Sequence, residues 1–116
     1  MELTGKCKED FEKWYSLFIK KEGFSPRNNM NEELDLFDEF PDSMIFSVLV
    51  DFFDSVGIEI NIKHIVNPRW MYIISDPSRY GFHLNDYLKN INCETLPESR
   101  TKAIEKAVEI YNSNNQ

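Results

Sequence analysis

Two pairs of aspartates stand three residues apart, Asp35/Asp38 and Asp51/Asp54. On a helix this spacing puts both carboxylates on one face, where they can share a divalent cation such as Mg²⁺. An acidic surface alone holds such ions weakly, so neither pair predicts a metal site. The two histidines, His64 and His83, have no second ligand at helical spacing, and the chain contains neither H-E-x-x-H nor C-x-x-C. His64 falls in an apolar strand pattern and reads as a satisfied structural histidine. Cys7 belongs to an apolar helix face and Cys93 to a polar loop, and both read as reduced thiols. Only four glycines occur, and none forms a phosphate-cradling loop. The residues therefore predict no catalytic, cofactor or metal site, and the chain reads as a non-enzymatic protein.

What remains is charge. The chain has 116 residues, a net charge of −7, and 41 % hydrophobic residues. That suits one globular domain and argues against binding a phosphate backbone directly. The charge is concentrated: residues 22–59 hold ten acids and one base, Arg27, for a local −9, while the rest holds ten acids and twelve bases. No Lys or Arg occurs between Asn28 and Ile62, and six acids fall within residues 32–42. A solvated loop is one reading. The other is a docking surface for a basic partner, because a single-sign patch steers association and excludes like-charged partners. In NEELDLFDEFP, residues 31–41, the acids alternate with Leu34, Leu36, Phe37 and Phe40, a composition suited to basic, partly apolar surfaces.

The elements that carry these residues follow from periodicity. Cys7, Phe11, Trp14 and Phe18 predict a helix over 4–22, with Tyr15 widening the face, Thr4 as cap and Gly23 as stop. Residues 24–41 read as an irregular acidic segment, with a short helical turn in NEELDLFDEFP as the weaker alternative. Met44, Ile45, Val48, Leu49, Phe52, Phe53 and Val56 predict a central helix over 42–56, capped by Asp42 or Ser43 and ended by a left-handed Gly57, with a strand as the alternative for the β-branched IFSVLV. Ser47, Asp51 and Asp54 form its polar stripe. Ile58, Ile60 and Ile62 alternate with polar residues as a strand, and residues 70–74 complete a hairpin. Residues 80–92 fit a strand at 80–84 or a helical turn through Leu84, Tyr87, Leu88 and Ile91. Thr95-x-x-Glu98 with Pro97 opens a last helix, and 113–116 reads as a frayed tail. The expected fold is a small single α+β domain, 1–116, with helices on one face of a two- or three-stranded antiparallel sheet.

Three stretches, LTGKCKEDFEKW at 3–14, VDFFDSVGIEI at 50–60 and RTKAIEKAVEIYN at 100–112, resemble a group of small accessory proteins encoded in bacteriophages and prophages. The resemblance implies a small α+β module, and eleven Asn fit an AT-rich phage or host genome. Such genes often encode antagonists of host defence, anti-CRISPR proteins among them. The resemblance thus implies an inhibitor of a host nucleic-acid-handling effector, most readily an RNA-guided CRISPR nuclease or its guide complex. The expected partner-binding residues are Glu32, Glu33, Asp35, Phe37, Asp38, Glu39, Phe40, Asp51 and Asp54, with Phe37 and Phe40 as apolar anchors. The expectation includes no cofactor, no nucleic acid bound by the protein alone and no membrane span. A charged start without an apolar signal stretch adds a cytoplasmic location. Two rivals remain: a phage adaptor or oligomerising protein, and a small metal-dependent hydrolase.

Overall fold

A computed structural model describes residues 1–21, 30–66, 69–75 and 87–115. Its elements are helices α1 (Gly5–Lys21), α2 (Met30–Asp38) and α3 (Asp42–Ser55), strands β1 (Glu59–Val66), β2 (Arg69–Ser75) and β3 (Tyr87–Cys93), and helix α4 (Leu96–Asn114). The strands form an antiparallel sheet in the order β1-β2-β3. α4 lies against all three strands, α3 meets β1, and α1 packs on α3 and α4. This is the α+β architecture that the periodicities imply.

The sheet shows why alternation was informative. Ile60 pairs with Ile74 and Ile62 with Tyr72, and these side chains turn towards the helices. Glu59, Asn61 and Lys63 point away and are exposed. β3 ends on Cys93, which pairs with Trp70 and is fully buried. Cys93 is therefore a core residue and not part of a polar loop. Residues 87–93 form a strand where a helical turn through Tyr87, Leu88 and Ile91 was an alternative, because that segment completes the sheet beside β2. The earlier strand alternative at 80–84 lies outside the described residues.

α3 supplies the centre of the core. Leu49, Phe52 and Phe53 are buried on it. The Phe52 ring meets Phe11 at 5.4 Å, Trp14 at 5.6 Å, Phe53 at 5.2 Å and Tyr111 at 6.0 Å between centroids. One side chain therefore joins α1, α3 and α4. The helix ends as its glycine implies. Gly57 has φ 87°, the Ile58 N–H donates to the Phe53 carbonyl at 2.9 Å, and the Gly57 N–H donates to the Asp54 carbonyl at 3.2 Å. That pair of bonds is the Schellman arrangement, which satisfies two otherwise orphaned carbonyls. At the other end Pro41 holds the cap position and no side chain caps the helix, so neither Asp42 nor Ser43 acts as expected.

α1 rolls slightly from its expected face. Cys7, Phe11, Tyr15 and Ile19 are buried, while Trp14 and Phe18 stack on each other at 5.1 Å and are half-buried. The cause is α2. Residues 30–38 are helical, not irregular, because Phe37 inserts between Phe11 at 5.4 Å and Tyr15 at 5.0 Å. A weakly periodic, acid-rich segment is folded here by one tertiary contact, the usual source of stability for short helices. Residues 22–29 lie outside the described residues.

α4 opens as its capping sequence implies. The Thr95 hydroxyl accepts from the Glu98 N–H at 3.2 Å, and Glu98 accepts in turn from the Glu94 N–H at 3.1 Å. The helix continues through Ser113 and Asn114, so these two belong to it and not to a frayed tail. The Asn115 amide folds back to donate to the Tyr111 carbonyl at 2.8 Å.

Candidate functional site

The carboxylates of the base-free stretch are set by two helix ends. Asp35, Asp38, Glu39 and Asp42 surround the corner where α2 gives way to α3, and all four are exposed. Glu32 and Glu33 lie on α2, but their side chains are outside the described residues. Asp51 and Asp54 are exposed near the far end of α3, next to Glu59. At 1.5 Å per residue, Asp42 and Asp54 are about 18 Å apart along the helix axis. The nine residues from Asp42 to Asp51 make two and a half turns, which puts these two carboxylates on opposite sides of α3. The expected acidic site is thus divided into a corner cluster and a second, separate cluster.

Three of these carboxylates stand where the fold disfavours them, while Asp42, in the first turn of α3, is favourably placed. Asp35 and Asp38 occupy the last turn of α2 and Asp54 the last turn of α3, and neither turn carries a base. The carbonyl end of a helix is its negative end, so each such carboxylate costs about 0.3–1 kcal/mol at low ionic strength. No described lysine or arginine lies within ion-pair distance of Asp35, Asp38, Glu39, Asp42, Asp51 or Asp54. The strain is visible at Asp54, whose carboxyl is pushed above the usual range by partial burial and by its neighbours Glu59 and Asp51.

Apolar side chains are exposed among the corner acids. Leu36 is 44 %, Phe40 37 % and Met44 50 % exposed. Phe37, expected as an anchor for a partner, is only 4 % exposed and fills the core instead. The i,i+3 spacing with Leu34 decided between the two phenylalanines: Phe37 shares the inward face of α2, and Phe40 falls past its end, with its ring edge-on to Phe37 at 5.9 Å. Sequence periodicity did not mark Leu36 and Met44 as surface residues. Met44 was assigned to the apolar face of α3, which it only borders.

Beside the corner lies a groove of about 350 Å³ between α1, α2 and α3. Phe11, Phe37, Ile45 and Leu49 form its floor, and Asp38 belongs both to its rim and to the corner. No sequence signal pointed to it, because its walls come from segments up to four dozen residues apart.

The α1–α4 contact has the opposite character. The Asn112 side chain fits on the first turn of α1. Its Oδ1 accepts from the Cys7 N–H at 2.8 Å, and its Nδ2 donates to the Thr4 carbonyl at 3.0 Å and to the Thr4 hydroxyl at 3.4 Å. The cap of α1 is thus supplied from α4, and Thr4 is held by it. Gly5, with φ 60°, leaves room for this amide: a Cβ there would meet Asn112 at 3.2 Å. One turn on, the Tyr111 hydroxyl donates to Asp10, which also pairs with Lys6 at 3.1 Å. The tyrosine hydrogen bond, with Lys6 assisting, lowers the Asp10 carboxyl below its ordinary range. Burial, with Asp10 nearby, pushes the Cys7 thiol up to about 12, so it is not a nucleophile at neutral pH.

His64 is exposed and not buried; it pairs across the hairpin with Trp70, their rings 4.7 Å apart. His83 lies outside the described residues. Among the described residues no three of His, Cys, Asp and Glu converge on a point that could hold a metal ion, and no helix is long and apolar enough to cross a membrane.

No protein-family model, curated protein or solved structure significantly matches the chain. The three sequence blocks singled out above have a structural place: 3–14 and 100–112 hold the two halves of the Asn112 junction, and 50–60 holds the Schellman end of α3. They describe the frame and not the acidic corner.

Proposed function

We propose that the chain is a non-enzymatic interaction protein that docks its acidic α2–α3 corner on a basic surface of another protein. One observation carries the reading: Asp35, Asp38 and Asp54, with no cation partner among the described residues, sit in last helical turns that disfavour them, and Leu36, Phe40 and Met44 are exposed beside the first two. Local rules broken without a compensating contact mark functional surface. Apolar contacts in the centre of a charged rim are the usual anatomy of an interface. The fitting partner is a protein that normally holds nucleic-acid phosphates with Arg and Lys. In the phage setting that the sequence blocks suggest, it is a host defence effector such as an RNA-guided CRISPR nuclease, blocked at its guide or target channel.

Affinity capture from host lysate at low salt, with mass spectrometry, tests this. The captured protein is expected to have a basic nucleic-acid channel and to be released as salt shortens the Debye length below about 10 Å. Changing Asp35, Asp38 and Glu39 together to Lys should abolish capture while the protein stays folded. Capture that survives both high salt and the triple change overturns the reading.

A further inference from the structure

Resting on that reading, we propose that the groove between α1, α2 and α3 is the anchor site of the interface, and that it takes an apolar side chain of the partner flanked by Arg or Lys. The groove, at about 350 Å³, is at the small end of ligand-sized cavities and has room for one large side chain. Its floor is aromatic and aliphatic, the lining that receives interface anchors. Its rim selects the neighbours of that anchor. Glu2, Glu12 and Asp38 stand at the mouth against Lys8, a side-chain charge of −2, and Asp35, Glu39 and Asp42 continue the same sign along the corner. An acidic or neutral segment would lose this attraction, and a purely basic one would leave the apolar floor unfilled. Asp38 joins the two surfaces, so one basic–apolar segment can lie on the corner with its aromatic residue in the groove.

Short peptides distinguish the parts. We would titrate Arg-Trp-Arg-Trp-Arg, Arg-Ala-Arg-Ala-Arg and Glu-Trp-Glu-Trp-Glu into the full chain and follow Leu3, Leu34 and Ile45 methyl resonances for the groove and Asp35, Glu39 and Asp42 amides for the corner. The Arg-Trp peptide should shift both sets and bind about tenfold or more tightly than the Arg-Ala peptide, which should shift the corner alone. Filling the groove with Ile45→Trp should erase that tenfold difference and leave Arg-Ala binding unchanged. Should that variant melt below the parent, Leu3→Gln at the rim gives the same test with less intrusion into the core. Equal binding of the two arginine peptides, or groove shifts with the Glu-Trp peptide, overturns the anchor site and leaves the acidic-corner reading standing. Binding of none of them overturns both. Groove shifts that follow protein concentration instead of peptide make a second copy the occupant, presenting exposed Leu17 beside Lys13, and also overturn the proposal.

Discussion

The α1–α4 junction and the α2–α3 corner treat charge in opposite ways. At the junction Asp10 holds Tyr111 and Lys6, Asn112 satisfies three groups on Thr4 and Cys7, and further along α4 Lys102 and Lys106 each hold a glutamate at 3.0 Å. At the corner Asp35, Asp38, Glu39 and Asp42 face solvent, the first two in the last turn of α2, where the helix disfavours them. Matched groups make a frame that resists change. Unmatched groups leave a surface with free energy to release when a partner of opposite charge arrives. The two regions share the aromatic core, through Phe11 and Phe37.

The comparison is broken most severely through the core. Phe52→Ala should cost about 3–5 kcal/mol, because it empties the contact among α1, α3 and α4. A urea melt would show it, and a cost below about 1 kcal/mol would mean that the rings do not pack as described. Next in size, Asn112→Ala should cost about 1–2 kcal/mol by leaving the Cys7 N–H and the Thr4 carbonyl without their partner. Asn112→Asp keeps the acceptor and loses the donor, so its melting temperature should fall between those of the parent and the alanine variant. The junction should also show in the pH profile. The unfolded thiol ionises near pH 9 and the buried Cys7 thiol only near 12, so stability should decline as pH rises above about 9. In Cys7→Ala that part of the decline should be missing from urea melts taken between pH 8 and about 11.

The smallest change sharpens the contrast by its sign. Asp54 has a raised carboxyl, so its protonated form suits the fold, and its charge costs stability at neutral pH. Asp54→Asn should therefore stabilise the protein by about 0.2–0.5 kcal/mol at pH 7, after solvent screening, and the gain should vanish as pH falls through the carboxylate range. Asp38→Asn should also stabilise slightly at pH 7, since Asp38 ends α2 and its charge opposes the helix dipole. A destabilised Asp54→Asn protein would show that the acids at helix ends are held by contacts and are not strained.

Where apolar spacing was strong, the sequence was enough to place the elements. The α3 face, the Gly57 stop, the alternation of β1 and the Thr95 cap all act within a few residues, and all appear in the structure. What failed was non-local. α2 exists because Phe37 finds Phe11 and Tyr15, and the cap of α1 is an asparagine more than one hundred residues away, where Thr4 was the nearer candidate. The acidic charge was legible as composition, but its division between two ends of α3 required the helix to be built. The groove was invisible for the same reason as α2.

The asparagine that closes α1 has a consequence for the order of synthesis. Thr4 and Asn112 are 108 residues apart, so α1 is completed only by α4. At about 5–20 residues per second a ribosome delivers the acidic corner seconds before the residue that locks its frame. Contacts of such long range are slow to form, and the junction can close only once Asn112 has been made. Until then a nascent chain presents its acidic corner on a frame that is still open, and α4 completes that frame when it docks.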